Sequence, residues 1–263
     1  MRRLLPLFLC LPLLGAGCFG QTPTAQTNKP VTNNSEQTTN SKQKEPLSFS
    51  STTLSEASDL YTIRVDHPVV SGGPGELRSN ISSAVAAYVA TTTANFKDYL
   101  KDADKWYSGA KYDLAMDYSV PLNDDHFVSL FFDGYEFTGG AHGAHIYETM
   151  VFDVASGKRL ALSDIFSTST YLQVLAREYR AKLGATSSVT DMSDTDWLKQ
   201  GTEPTADNYK YWYLAHDGLH VIFPPYQVAA YAAGEFDIVV PYADLQDILQ
   251  PWMLSVTSYY TTS

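Results

Sequence analysis

Tyr135-Glu136-Phe137-Thr138-Gly139-Gly140-Ala141-His142-Gly143 stands between two apolar runs, His126 to Phe137 and Ile146 to Val154. Both runs read as strands, rich in aromatic and β-branched residues. Two glycines and an alanine ahead of His142 let the chain take positive φ, or let one backbone approach another closely. The spacing therefore predicts two strands joined through a glycine corner. On the second strand Ile146, Met150, Phe152 and Val154 share a face, and Glu148 falls on that same face, where a carboxylate needs a partner or water.

Working outward, Tyr112 to Val120 gives another strand, and Leu60 to Asp66 alternates through Tyr61, Ile63 and Val65. Between them Gly73-Pro74 opens a helix, with Glu76 in its first turn. Leu77, Ile81, Val85, Tyr88, Thr92, Phe96 and Leu100 recur at three- and four-residue intervals and form one stripe for burial. Ser156-Gly157-Lys158 is a turn. Leu162 to Phe166 begins short helical structure, and Thr168 or Ser169 caps a helix bearing Leu172, Leu175, Tyr179 and Leu183 up to Gly184.

Ala185 to Asp207 is polar, with a short helix expected near Trp197. Asn208 to Ala215 and Leu219 to Phe223 flank Asp217-Gly218, a hairpin signal because glycine accepts positive φ. Phe236, Ile238 and Val240 form a last strand, and Pro241-Tyr242 opens a terminal helix. The expected class is α+β: antiparallel sheets built from hairpins with helices packed on one side, in two intimate subdomains, residues 59–166 and 167–254, with a tail at 255–263.

The N-terminus reads as an export signal: Arg2 and Arg3, an uncharged apolar run from Leu4, then Gly15-Ala16-Gly17-Cys18. Residues 1–18 are expected to be a signal ending in a lipoprotein cysteine at Cys18, so that the protein is extracytoplasmic and held to the membrane by lipid alone. The alternatives are ordinary cleavage with secretion, or retention of the run as an anchor. The other cysteine, Cys10, lies inside the signal, which excludes a disulfide scaffold, a thiol nucleophile and a cysteine metal site in the body. Residues 19–58 are mostly Thr, Asn, Gln, Ser, Lys and Pro and are expected to be a disordered tether reaching about 35 Å. The formal net charge of −11 disfavours nucleic acid and favours a cationic partner.

Three stretches together carry a resemblance. They are Tyr135 to His142, the Phe152-Asp153…Gly157-Lys158 turn leading into Leu162 to Phe166, and Phe223-Pro224-Pro225-Tyr226-Gln227-Val228-Ala229…Gly234-Glu235-Phe236 to Tyr242. Residues 58–250 resemble the paired extracytoplasmic domains of unknown function of the PdaC/RsiV type. In PdaC these precede a polysaccharide deacetylase that trims peptidoglycan; in RsiV they form the outer part of an anti-sigma factor that binds lysozyme. No deacetylase domain follows in this sequence, and only three residues precede the apolar run. The resemblance therefore implies a non-catalytic envelope module binding cell-wall glycan or a lysozyme-like cationic protein, without a cofactor. An envelope-stress sensing ectodomain is a further alternative.

Among chemistry-bearing residues, His142 and His145 could share a metal with Glu148 or Asp133 if the corner is a turn, but on a regular strand the two imidazoles would face opposite sides. The rival reading has His142 bonding the backbone of the corner. Asp133, Glu136, Glu148 and Asp153 offer carboxylate pairs for a hydrolase acting on wall glycan, although a chain with 29 acidic residues provides such pairs by chance. No Gly-x-Ser-x-Gly elbow or phosphate loop is present. Tyr209, Tyr211 and Tyr213 are expected on one face of a strand with Trp212 on the other, and Tyr226 and Tyr231 form a second cluster. His216 and His220 are expected to be exposed around the hairpin turn. The binding residues expected are thus His142 with Gly139 and Gly140 for corner geometry, and Tyr135, Tyr209, Tyr211 and Tyr226 for contact.

Overall fold

The computed structural model describes residues 45–101 and 111–260. The signal, Cys18 and most of the tether lie outside the described residues. The elements in order are β1 (Ser48–Ala57), β2 (Tyr61–Ser71), α1 (Gly75–Lys101), β3 (Tyr112–Asn123), β4 (Phe127–Phe137) and β5 (Ala144–Asp153), then α2 (Tyr171–Gly184), α3 (Ser187–Met192) and α4 (Thr195–Gly201). After these come β6 (Trp212–Ala215), β7 (Gly218–Phe223), β8 (Phe236–Val240), α5 (Tyr242–Leu245) and α6 (Pro251–Tyr260). The strands form a five-stranded sheet, β1-β2-β3-β4-β5, and a three-stranded sheet, β6-β7-β8. All neighbours are antiparallel except β2 and β3, which are parallel because α1 returns the chain between them.

The expected class holds, and several boundaries move. Ser48–Ala57, assigned from composition to the tether, is a strand paired along its length with β2. Its serines and threonines are exposed, so it is an edge strand held mainly by its ladder, with Phe49 and Leu54 half-buried against the core. The expected tail begins inside α6, where Val256 and Thr257 are buried. β3 runs on past Val120 because its register shifts between Ser119 and Leu122, an irregularity that accommodates Pro121, which has no N–H for the ladder.

The buried stripe of α1 is Leu77, Ile81, Val85, Val89, Thr93, Phe96 and Leu100. Tyr88 and Thr92 sit one position off it. The smaller Val89 takes the close approach to the sheet, while the Tyr88 ring lies at the margin, 5.1 Å from Phe132. On α2, Thr170 stands at the N-cap without a side-chain bond to the helix backbone, its hydroxyl 2.9 Å from that of Thr168, which also accepts the Thr170 N–H at 3.3 Å.

The five-stranded sheet is buried on both faces along β4 and β5, whereas β1, β2 and β3 leave one face largely to solvent. Val128, Leu130, Phe132, Met150 and Phe152 meet α1 in one core. Phe127, Tyr147 and Val151 belong to the second core, with the residues of α2 and the small sheet. This is why β4 reads as a nearly continuous apolar run from Phe127 to Phe132. Two hydroxyls in that second interface are functional to the packing: Thr149 accepts the Trp212 N–H at 3.0 Å and Ser129 accepts the Leu214 N–H at 3.2 Å. They satisfy the free edge of β6 where it lies against the large sheet. No helix among the described residues is long and apolar enough to cross a membrane.

Candidate functional site

The glycine corner is a turn with a specific seat. Gly139 and Gly140 take φ of 101° and 91°. Gly143 is needed for closeness: a Cβ there would lie 2.3 Å from the Glu136 carbonyl oxygen and 2.5 Å from Cζ of Tyr135. The Tyr135 hydroxyl accepts the Gly143 N–H at 2.7 Å, which ties the corner to β4 and makes Tyr135 a half-buried brace. His142 is exposed at the tip, with Nδ1 2.8 Å from the Gly143 carbonyl, and its ring stacks on Tyr231 at 4.3 Å. The expected bond of His142 to the corner backbone is therefore present, and a second contact reaches the other half of the protein.

His142, His145 and Glu148 do not converge. Glu148 pairs with Arg159 on the α1 side of the sheet, which supplies the partner its apolar face demanded. His145 lies on the opposite face, where its Nδ1 is 3.8 Å from Asp133 Oδ1 and 3.7 Å from Glu235 Oε2. Asp133 and His145 come together because β4 and β5 pair Asp133 with Tyr147 and Tyr135 with His145, so both side chains point the same way. Glu235 arrives from the loop before β8, and the Tyr147 hydroxyl donates to its Oε2. Burial, then the nearby Glu235 charge, raises the Asp133 carboxyl above its ordinary range. Glu235 was visible in the sequence only as part of the Gly234-Glu235-Phe236 signature, with nothing to join it to His145. Asp153, the remaining carboxylate of that set, accepts the Ser156 N–H at 2.6 Å and forms the turn. Glu136 is half-buried, and burial raises its pKa.

The tyrosine strand is not as expected. Ala206–Tyr209 is a turn of 3₁₀-helix, and β6 begins only at Trp212. Tyr209 is fully buried and donates to the Thr202 carbonyl at 2.9 Å, so it offers no contact surface. Tyr213 is buried too. Tyr211 alone of the three stays half-exposed, with the Lys210 ammonium 4.8 Å from its ring centre. Tyr226 is 55% exposed at a φ of 72°, and its carbonyl accepts the indole N–H of Trp197. The hairpin turn residues are His216-Asp217. Gly218 is required because a Cβ would lie 2.3 Å from the Val240 carbonyl oxygen. His216 is exposed as expected. His220 is not, for it is held between Asp217 and Asp237 at 2.9 Å each and stacks on Tyr213.

Two features of the second interface border open space. A cleft of about 580 Å³ between the halves is lined by residues that include Glu148, Arg159, Tyr171, Lys210 and Tyr211. Beside it, aromatic rings follow one another from Tyr135 to His145 (5.7 Å), Tyr147 (5.9 Å) and Tyr211 (5.6 Å).

These two halves correspond to two known domains. Residues 54–145 match the family model described as Deacetylase PdaC, and residues 163–243 match the model described as Protein of unknown function (DUF3298). The chain thus matches the two models one after the other, in the pairing that its sequence resembles. Peptidoglycan-N-acetylmuramic acid deacetylase PdaC of Bacillus subtilis (strain 168) is 27% identical over 199 residues, which are 75% of this chain and 41% of that protein. This chain thus spans less than half of that relative. The crystal structure of a DUF3298 family member from Bacteroides fragilis superposes with a TM-score of 0.61 at 22% identity, over 79% of this chain and 95% of that one. One from Pseudomonas aeruginosa gives 0.53 at 17%, with the same coverage. These likenesses bear on the fold.

Proposed function

We propose that this protein is a non-catalytic module of the cell envelope, exported and lipid-anchored at Cys18, that binds wall glycan in the cleft between its two halves. The cleft carries the reading. It sets the Tyr171 and Tyr211 rings beside Arg159, Lys210 and Glu148 in a space of about 580 Å³. Rings can stack on the apolar faces of sugars, while the two cations suit the carboxylates of peptidoglycan and Glu148 suits hydroxyls or amides. The relative's name, a peptidoglycan deacetylase, supports a wall polymer as ligand. The cleft brings together a single carboxylate, Glu148, already ion-paired to Arg159, whereas hydrolysis by acid and base needs two free ones.

The test is co-sedimentation of the purified protein with insoluble peptidoglycan, beside a column of immobilised lysozyme, at low and high salt. Retention on peptidoglycan that Tyr211→Ala and Arg159→Ala each weaken about tenfold supports the reading. Salt-sensitive retention on lysozyme alone would move it to a cationic wall enzyme drawn by the net charge of −11. Release of soluble sugar or acetate would make the protein an enzyme.

A further inference from the structure

Asp133, His145 and Glu235 present one imidazole nitrogen and two carboxylate oxygens that all lie within 4.8 Å of one another. The imidazole nitrogen sits 3.8 Å from one oxygen and 3.7 Å from the other, too far to hydrogen-bond either. Donors around a tetrahedral ion with bonds of about 2.0–2.2 Å lie about 3.3–3.6 Å apart. The two nitrogen-to-oxygen spacings are thus near those of ligands around an ion and longer than a hydrogen bond.

The charge balance points the same way. Among the described residues, no lysine or arginine makes an ion pair with Asp133 or Glu235; His145 is their ion-pair partner. Two carboxylates therefore share one imidazole as their ion-pair partner. The Tyr147 hydroxyl fixes Glu235 from the outer side, as an outer partner of a metal ligand does. Asp133 and His145 are on paired strands of the large sheet, and Glu235 belongs to the other half. We infer that Asp133, His145 and Glu235 form a binding site for a divalent transition-metal ion such as Zn²⁺, which ties the loop before β8 to strands β4 and β5. The ion balances both carboxylates and links the two halves. An imidazole with two carboxylates favours Zn²⁺ over Mg²⁺, which prefers all-oxygen sites with several waters. The side chains are 32%, 45% and 37% exposed for His145, Asp133 and Glu235, so the ion can enter from solvent.

The experiment titrates the tag-free full chain, stripped with chelator, with Zn²⁺ and separately with Mg²⁺ by calorimetry near pH 7.5. Co²⁺ is then added as a spectroscopic probe. One equivalent of Zn²⁺ bound in preference to Mg²⁺, with a rise in Tm and intense visible cobalt bands, is expected. His145→Ala and Glu235→Gln should each weaken binding about tenfold or more, and His142→Ala should leave it unchanged. Glu235→Gln keeps the shape of the side chain, and the cobalt spectrum of the unaltered protein needs no variant to fold. Absence of saturable Zn²⁺ binding, binding as tight in both ligand variants as in the unaltered protein, or cobalt without intense bands would overturn the site. None of these readouts depends on glycan.

Discussion

The imidazole of His142 stacks on the ring of Tyr231, with centres 4.3 Å apart and planes 24° from parallel. The first residue is at the tip of the glycine corner and the second is in the 3₁₀ turn before β8, so one contact docks the PdaC-type half on the DUF3298 half. Tyr231 also lies 5.2 Å from Tyr226, which makes the corner, not a groove, the destination of that tyrosine cluster. A double-mutant cycle with His142→Ala and Tyr231→Ala is expected to give a coupling of about 0.5–1.5 kcal/mol in urea unfolding. Additive losses would mean that the stack does not join the halves.

Glycines in the corner should differ in cost. Gly143→Ala drives a methyl into the Glu136 carbonyl and the Tyr135 ring, and should destabilise by about 1–3 kcal/mol, as overpacking does. Gly140 has nothing within 4 Å of its missing Cβ, so Gly140→Ala meets only the left-handed penalty of about 1–2 kcal/mol. Denaturant midpoints that rank the two in the reverse order would contradict the close-approach argument.

The edge of β6 depends on two hydroxyls of the large sheet. Thr149→Val keeps the volume but leaves the Trp212 N–H without its acceptor, and Ser129→Ala does the same to Leu214. Each is expected to cost about 1–3 kcal/mol, because a buried donor is left unsatisfied. Hydrogen exchange at Trp212 and Leu214 should speed up in the matching variant. Unchanged exchange at both amides would remove these hydroxyls from the packing account.

His220 makes stability depend on pH. Burial lowers its basicity, but hydrogen bonds and charge from Asp237 and Asp217 outweigh this and raise its folded pKa above 6.5. A folded pKa above the unfolded one means that the stabilisation is complete below about pH 6.5. It is lost as pH rises through the folded value. The Tm difference between the native protein and His220→Gln should therefore shrink between pH 6 and pH 9. A difference that grows over that range would show that the imidazole is held neutral.

The class of fold, the long helix, the strands on either side of the glycine corner and the family pairing all lay in the sequence. Periodicity and turn chemistry are local properties: a stripe at Leu77, Ile81 and Val85 is a helix face whatever it meets, and Gly139-Gly140 turns a chain regardless of its surroundings. Local patterns also misplaced what they could not weigh. Ser48–Ala57 has the composition of a tether, yet its backbone ladder on β2 makes it a strand. Tyr209 has the spacing of an exposed strand residue, yet the chain curls into a 3₁₀ turn and buries it.

The sites belong to the tertiary structure. The sequence offered His142, His145 and Glu148 as neighbours, but alternation across the sheet sends Glu148 to one face and His145 to the other. What meets His145 is Glu235, held by a Tyr147 that stands 88 positions before it in the chain. Only the packing of one half against the second face of the large sheet decides that meeting. The cleft lined by Tyr171, Tyr211 and Arg159 arises in the same way, because no local rule links a residue to a partner that the core places beside it.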